Sequence, residues 1–245
     1  MQSREVAIER IAEGRTNERD HVVVEAPLQI RARGTPVATI MRTPGHDLEL
    51  ARGLLHAEGI RGEPRQIDED AVEVDVDPGS FAGRGLLASA ACGVCGRVAI
   101  ADLELKAKEV TADTTIEHAV LVTLPDRLRS EQQIFGETGG LHAAGLFTAA
   151  GELLVVREDV GRHNAVDKAI GHALATDLQP AVLVLSGRAG YELLQKAIMA
   201  GIPLVASVSA PSSLAIELAE RFGVALAGFV RGGRCNVYSH GWRID

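Results

Sequence analysis

Apolar positions change their rhythm along this chain. In the first third they alternate with polar ones, starting from Val22-Val23-Val24. Leu28 to Arg33 and Pro36 to Arg42 read as two strands joined at Gly34-Thr35, and Ala71-Val72-Glu73-Val74-Asp75-Val76 as a strand with one wet face. Between them His46 to Glu58 reads as a helix: Leu48, Ala51 and Leu55 recur at helical spacing and Gly59 is placed to stop it. From Asp77 to Gly96 the periodicity vanishes into glycine, alanine and serine, which predicts a mobile loop.

From about Thr111 the texture is different. Pro125 suits the first residue of a helix running to about Phe135, with Leu124, Leu128 and Phe135 on its apolar side. Leu141 to Thr148 and Glu152 to Arg157 form a hairpin pattern across Ala149-Ala150-Gly151, and Gly161 to Ala173 a helix with Ala165, Ala169 and Ala173 in register. Wholly apolar strands then alternate with helices: strand Ala181 to Leu185, helix Tyr191 to Ala200, strand Pro203 to Ser207, helix Ser213 to Phe222, strand Ala225 to Val230. Strands apolar on both faces imply a largely parallel sheet covered on both sides, a three-layer α/β/α domain. The expected organisation is α/β: a small β-rich module over 1–108 ending in the loop, then the layered domain over 109–245. In such a sheet ligands collect at the carboxyl ends of the strands. Ser186-Gly187-Arg188, Ser207 to Ser213 and Arg231-Gly232-Gly233-Arg234 would converge there, and all three are small, polar or basic.

Composition narrows the function. The net charge of −8 and an aromatic content of 3% disfavour nucleic-acid binding, which needs a basic surface or stacking platforms. No apolar run approaches the ~20 residues that span a bilayer, and Met1 to Glu5 lacks the features of a signal peptide. The expectation is a cytoplasmic protein with reduced thiols and no membrane contact.

Only three cysteines occur in 245 residues, and two of them form Cys92-Gly93-Val94-Cys95-Gly96. A thiolate there can carry sulfur, exchange a disulfide or hold a metal. A structural zinc site wants a second pair, which is absent, and the spacing of Cys235, His142 and His163 does not supply ligands. Phe229-Val230-Arg231-Gly232-Gly233-Arg234 leaves a buried strand into a turn. Its glycines let backbone N–H groups approach an anion and its two guanidiniums can grip phosphate, although an ordinary turn with solvated arginines has the same sequence. In Arg157 to Lys168, Asp159 can cap a helix, Asp167 and Lys168 can form a solvated face, and His163 can be structural. Equally, Arg162, His163 and Asn164 at a helix start suit a phosphate or a purine edge. In Thr138-Gly139-Gly140-Leu141-His142-Ala143-Ala144, alanine stands where zinc deaminases carry the proton-shuttling glutamate, and no P-C-x-x-C follows, which disfavours deaminase chemistry.

Together, Cys92 to Gly96, Thr138 to His142, Glu158 to Lys168, Leu185 to Arg188, Ser209 to Ser213 and Phe229 to Tyr238 resemble the FdhD family, the formate dehydrogenase accessory sulfurtransferases, across Thr43 to Ser239. The resemblance implies a homodimeric sulfur carrier. It would accept sulfane sulfur from a cysteine desulfurase and pass it to bis(molybdopterin guanine dinucleotide) before that cofactor enters formate dehydrogenase. The cofactor is cargo; no resident cofactor or metal is implied. The C-terminal domain would be cytidine-deaminase-like in fold without deaminase activity. Cys92 matches the persulfide cysteine, Cys95 the second motif cysteine, and Phe229, Val230, Arg231, Gly232, Gly233 and Arg234 the cofactor-binding stretch, with GDP-like molecules as ligands; Arg188 and His163 are added as cofactor contacts from the reading of the residues themselves. A non-catalytic cofactor chaperone and a thiol–disulfide oxidoreductase are the rival readings.

Overall fold

The structure, a computed structural model, describes residues 1–81 and 107–245. Three sheets organise them. β1 (Ser3–Ile11) and β2 (Arg15–Val23) form an antiparallel ribbon. A four-stranded sheet has the order β4-β3-β6-β5, from β3 (Ala26–Ala32), β4 (Thr35–Arg42), β5 (Pro64–Asp68) and β6 (Ala71–Val74). The expected pair joined at Gly34-Thr35 is thus present as β3 and β4. Helix α1 (Asp47–Ala57) buries Leu50, Ala51, Leu54 and Leu55 against this sheet, in one core with Leu28, Ile30, Val72 and Val74.

The third sheet has six strands in the order β12-β11-β10-β9-β7-β8. They are β7 (His142–Phe147), β8 (Leu153–Asp159), β9 (Val182–Leu185), β10 (Leu204–Ser207), β11 (Ala225–Arg231) and β12 (Arg234–Ser239). Its parallel character is confined to β9, β10 and β11; the hairpin β7–β8 and the strand β12 are antiparallel to their neighbours. Helices α5 (Arg162–Ala175), α6 (Tyr191–Met199) and α7 (Ser213–Arg221) cover one face. Short helices α2 (His118–Leu121) and α3 (Leu124–Ser130) cover the other. β9 explains why its sequence is wholly apolar: Leu183 and Leu185 pack on the first side, Val182 and Val184 on the second.

The helix expected from Pro125 to Phe135 is two helices, α3 and α4 (Gln133–Thr138). The chain turns at Gln132, which is buried, and Glu158 accepts the Ile134 and Phe135 N–H groups to start α4. Arg243 anchors the C-terminus: its buried guanidinium donates to the carbonyls of Val110, Ala112, Thr114 and Gly223. The loop expected from Asp77 to Gly96 begins with a single 3₁₀ turn over Pro78–Phe81; its remainder lies outside the described residues.

α1 and α5 cross so closely that each needs a glycine. A methyl on Gly53 would overlap the carbonyl oxygen of Asp167, and one on Gly171 the carbonyl oxygen of Glu49. Both obstacles are backbone, so the helices themselves would have to separate. Gly171→Ala is expected to cost about 1–3 kcal/mol as overpacking, lowering the melting temperature by roughly 2–4 °C per kcal/mol in a chain of this size. A thermal melt showing no loss would contradict the close crossing.

Candidate functional site

The parallel strands β9, β10 and β11 end on one edge, and the loops that leave them are bonded into a ledge. Ser207 Oγ donates to the Gly187 carbonyl at 2.6 Å, Ala189 N–H to the Ala210 carbonyl at 3.2 Å, Ser212 N–H to the Ala189 carbonyl at 3.0 Å and Phe229 N–H to the Ser209 carbonyl at 3.1 Å. β7 joins from the other side, with Ala143 N–H donating to Ser186 Oγ at 2.8 Å. Two of the three segments expected to converge, Ser186 to Arg188 and Ser207 to Ser213, are joined here, while Arg231 to Arg234 lies further out along β11. α5 and α6 both begin at this edge, and neither has a side-chain cap on its N-terminus.

Beyond the ledge β11 continues. Ala227 is the last residue paired to β10, so Arg231 lies at most about 13 Å further out. On the way Phe229 adopts φ 53, a left-handed conformation costing of order 1–3 kcal/mol in a non-glycine residue, and the β11–β12 register shifts between Gly228 and Arg231. Gly228 is required by close approach: an added Cβ would lie 2.9 Å from the Tyr238 ring and 3.0 Å from Pro211 Cδ. Gly232 and Gly233, at φ 58 and 74, make the two-residue turn into β12. The hairpin alone therefore accounts for these two glycines.

It does not account for the arginines. Arg231 and Arg234 are directly opposite one another, both exposed, and like charges in that register repel. Among the described residues neither has a carboxylate partner; Arg231 lies over the Phe229 ring, 6.0 Å from its centroid. Arg188 and Arg162 are likewise exposed without an ion pair among the described residues. Arg188 and the arginine hairpin follow strands two places apart, roughly 10 Å across the sheet.

His163 was expected to contact ligand, but its Nε2 is committed to Glu192 Oε2 at 2.5 Å. That bond leads the forces holding the Glu192 carboxyl below its ordinary range, against burial and with help from the Lys196 and Arg162 charges. His142, by contrast, was read from sequence only against metal and deaminase sites. The structure puts it at the start of β7, with its imidazole beside Gly187. Burial pushes His142 down, repulsion from Arg162, His163 and Arg188 adds to this, and Asp159 opposes it. The signal the sequence offers for it is its place at the start of a strand, two positions after the glycine pair Gly139-Gly140.

The rest of the Arg157-to-Lys168 segment is a buried brace. Asp167 and Lys168, which a solvated face would expose, are 2% and 0% accessible. Lys168 Nζ lies 2.7 Å from Asp159 Oδ2 and donates to the Thr43 carbonyl at 2.7 Å; Asp159 also accepts the Thr43, Gly161 and Asn164 N–H groups. Lys196 pairs with Asp167 at 2.7 and 2.9 Å. Next to this, burial alone would push the Glu49 carboxyl up, yet hydrogen bonds from Arg157, His46 and His172 outweigh it and hold Glu49 well below the usual range. The folded value is the depressed one, so the stabilisation is present above about pH 4–5 and drains away as pH falls below it. Glu49→Gln is expected to lower stability at neutral pH and to flatten the acid limb; a parallel shift at all pH values would rule this out.

Cys92 and Cys95 lie outside the described residues. Cys235 is half-buried against the core, and burial pushes its thiol up, away from thiolate chemistry. Among the described residues no cluster of His, Cys, Asp and Glu could hold a metal ion, and no helix is long and apolar enough to cross a membrane. Two grooves of about 470 and 570 Å³ adjoin one another away from the edge, sharing His56, Ile60 and Arg61. Size favours the grooves, in which Arg52 pairs with Glu63 and His56 Nε2 lies 2.8 Å from the Met199 carbonyl. Four arginines without an ion pair among the described residues, Arg162, Arg188, Arg231 and Arg234, favour the edge.

Fold and edge together define an α/β protein that presents, at the carboxyl ends of a parallel core, guanidiniums with no ion pair among the described residues. Compared with known proteins, the FdhD/NarQ family pattern matches residues 23–245, and the chain belongs to that family. It is 45% identical to the sulfur carrier protein FdhD of Sulfolobus acidocaldarius over the whole of both chains. It is also 45% identical to the protein of that name from Streptomyces avermitilis, over 96% of this chain and 93% of the relative. A crystal structure of a candidate formate dehydrogenase accessory protein from Desulfotalea psychrophila superposes with a TM-score of 0.80 at 26% identity, covering both chains in full. The family read from the motifs is the one found.

Proposed function

We propose that this protein is a cytoplasmic, homodimeric sulfurtransferase of formate dehydrogenase maturation, loading sulfur on Cys92 and delivering it to bis(molybdopterin guanine dinucleotide) held at the carboxyl edge of the six-stranded sheet. The observation that carries the cargo half is the directly opposed pair Arg231 and Arg234, with Arg188 two strands away: cations left without partners among the described residues suit the phosphates of a dinucleotide. The sulfur half rests on the matched family and the names of the relatives.

The Cys92 thiolate attacks the terminal sulfur of a cysteine desulfurase persulfide. A new S–S bond forms, the donor's S–S bond breaks and the donor thiolate leaves. For delivery, the Cys95 thiolate attacks the Cys92 sulfur, giving a Cys92–Cys95 disulfide and expelling sulfide to the cofactor metal as a terminal ligand. Cys95 supplies the electron pair, and a dithiol reductant resets the disulfide. Guanidiniums at Arg231, Arg234 and Arg188 offset the phosphate charge, and the Ser207–Ser213 ledge presents small polar groups beside them.

Incubation with desulfurase and cysteine is expected to add one sulfur atom to the intact mass, mapped to the Cys92 peptide. Cys92→Ser should lose both the adduct and activation of formate dehydrogenase, since an alkoxide cannot carry sulfane sulfur. A Cys92→Ser protein that still activates its client would leave the chaperone reading in place.

A further inference from the structure

His142 opens β7 opposite Asp159 in the antiparallel register and faces the turn after β9. An added Cβ on Gly187 would lie 3.5 Å from its Nδ1 and 3.6 Å from its Cε1, so the imidazole rests against the loop that carries Arg188. The backbone there is pinned by bonds in both directions, Ala143 N–H to Ser186 Oγ at 2.8 Å and Ser186 N–H to the Ala143 carbonyl at 3.1 Å. The ring itself makes no hydrogen bond to any described residue, unlike the imidazoles of His56, His163 and His172.

Every element packed against it contributes charge. α5 supplies Arg162 and His163, the turn after β9 supplies Arg188, and β8 supplies Asp159. The one carboxylate is already taken by Lys168 and by the Thr43, Gly161 and Asn164 N–H groups. Glu192 of α6 is taken by His163. An imidazole without a partner among the described residues, close to the Arg162 and Arg188 guanidiniums, lacks an anion.

We propose that His142 is a ligand-contacting residue of the edge site, donating a hydrogen bond to an anionic oxygen of the nucleotide cargo and becoming charged as it does so. This rests on the edge being the cargo site. An incoming phosphate offsets Arg162 and Arg188, easing the repulsion that adds to burial in disfavouring the charged ring, and offers the acceptor that imidazolium needs. Binding then takes up a proton, and affinity rises as pH falls through the interval between the free and bound pKa values. The residue thereby discriminates phosphate-bearing molecules from neutral ones of similar shape.

The test uses the full chain and diguanosine diphosphate, a pyrophosphate diester whose own phosphates do not titrate near neutrality. The His142 imidazole resonances are followed through a pH titration by NMR, with and without this probe, and probe affinity is measured against pH for wild type and His142→Gln. The expected result is an upward shift of the His142 titration by about one pH unit or more, with binding tightening roughly tenfold per unit in that interval. In His142→Gln that slope is abolished. Should the variant fold poorly, the wild-type titration decides alone. Probe binding with an unmoved His142 titration overturns the inference and leaves the cargo site standing; no binding of the probe overturns both.

Discussion

Lys168→Met is expected to lose about 3–5 kcal/mol of folding stability. The substitution keeps most of the side chain's apolar length but leaves Asp159 charged at zero accessibility, and it removes the hydrogen bond to the Thr43 carbonyl. The brace links the end of β4 to the start of α5, so the loss falls on the contact between α1 and α5. Single domains hold only about 5–15 kcal/mol in total, so a large share of the variant would be unfolded at growth temperature. Denaturant melts measure this directly. Adding Asp159→Asn should recover part of the loss by deleting the stranded charge. Recovery stays partial because Asp159 also accepts three N–H groups, from Thr43, Gly161 and Asn164. A loss below about 1 kcal/mol, the ceiling for a solvated pair, would show that the brace is wet.

Arg231→Ala with Arg234→Ala should weaken binding of guanosine diphosphate about a hundredfold while leaving the free protein as stable or slightly more so. Charge-assisted hydrogen bonds contribute about 1.5–3 kcal/mol each. Taking about 3 kcal/mol for the coupled pair gives two decades in Kd. The stability change has the opposite sign because the two guanidiniums oppose each other across the β11–β12 hairpin, and relieving like-charge contact there returns about 0.2–1 kcal/mol. A residue kept for packing would lose stability and binding together, so calorimetry and a thermal melt on one sample separate the cases. Unchanged affinity would remove the hairpin from the site.

Much of this was legible in the chain. β9, β10 and β11 announced themselves because burial on both faces demands unbroken apolar runs, and the ledge followed from where those runs end. The β1–β2 ribbon was not legible: both of its faces are charged, and cross-strand pairs such as Arg10–Glu18 and Arg19–Glu5 line them, which no hydrophobic period reports. β5 buries only Pro64, and β12 is an edge strand with a mostly exposed pattern. Asp167 and Lys168 misled for a different reason. Adjacent opposite charges on a helix usually face water, and only the tertiary partners Lys196 and Asp159 show that these two point inward. His163 and His142 differ in a way the sequence does not report, because Glu192 reaches only the first.

The most direct check on the edge as cargo site is backbone hydrogen exchange with and without saturating guanosine diphosphate. Slowed exchange is expected in residues 186–190, 207–213 and 228–234 and at the start of α5. Protection confined instead to the grooves around His56, Arg61 and Met199, with the edge unchanged, would contradict it.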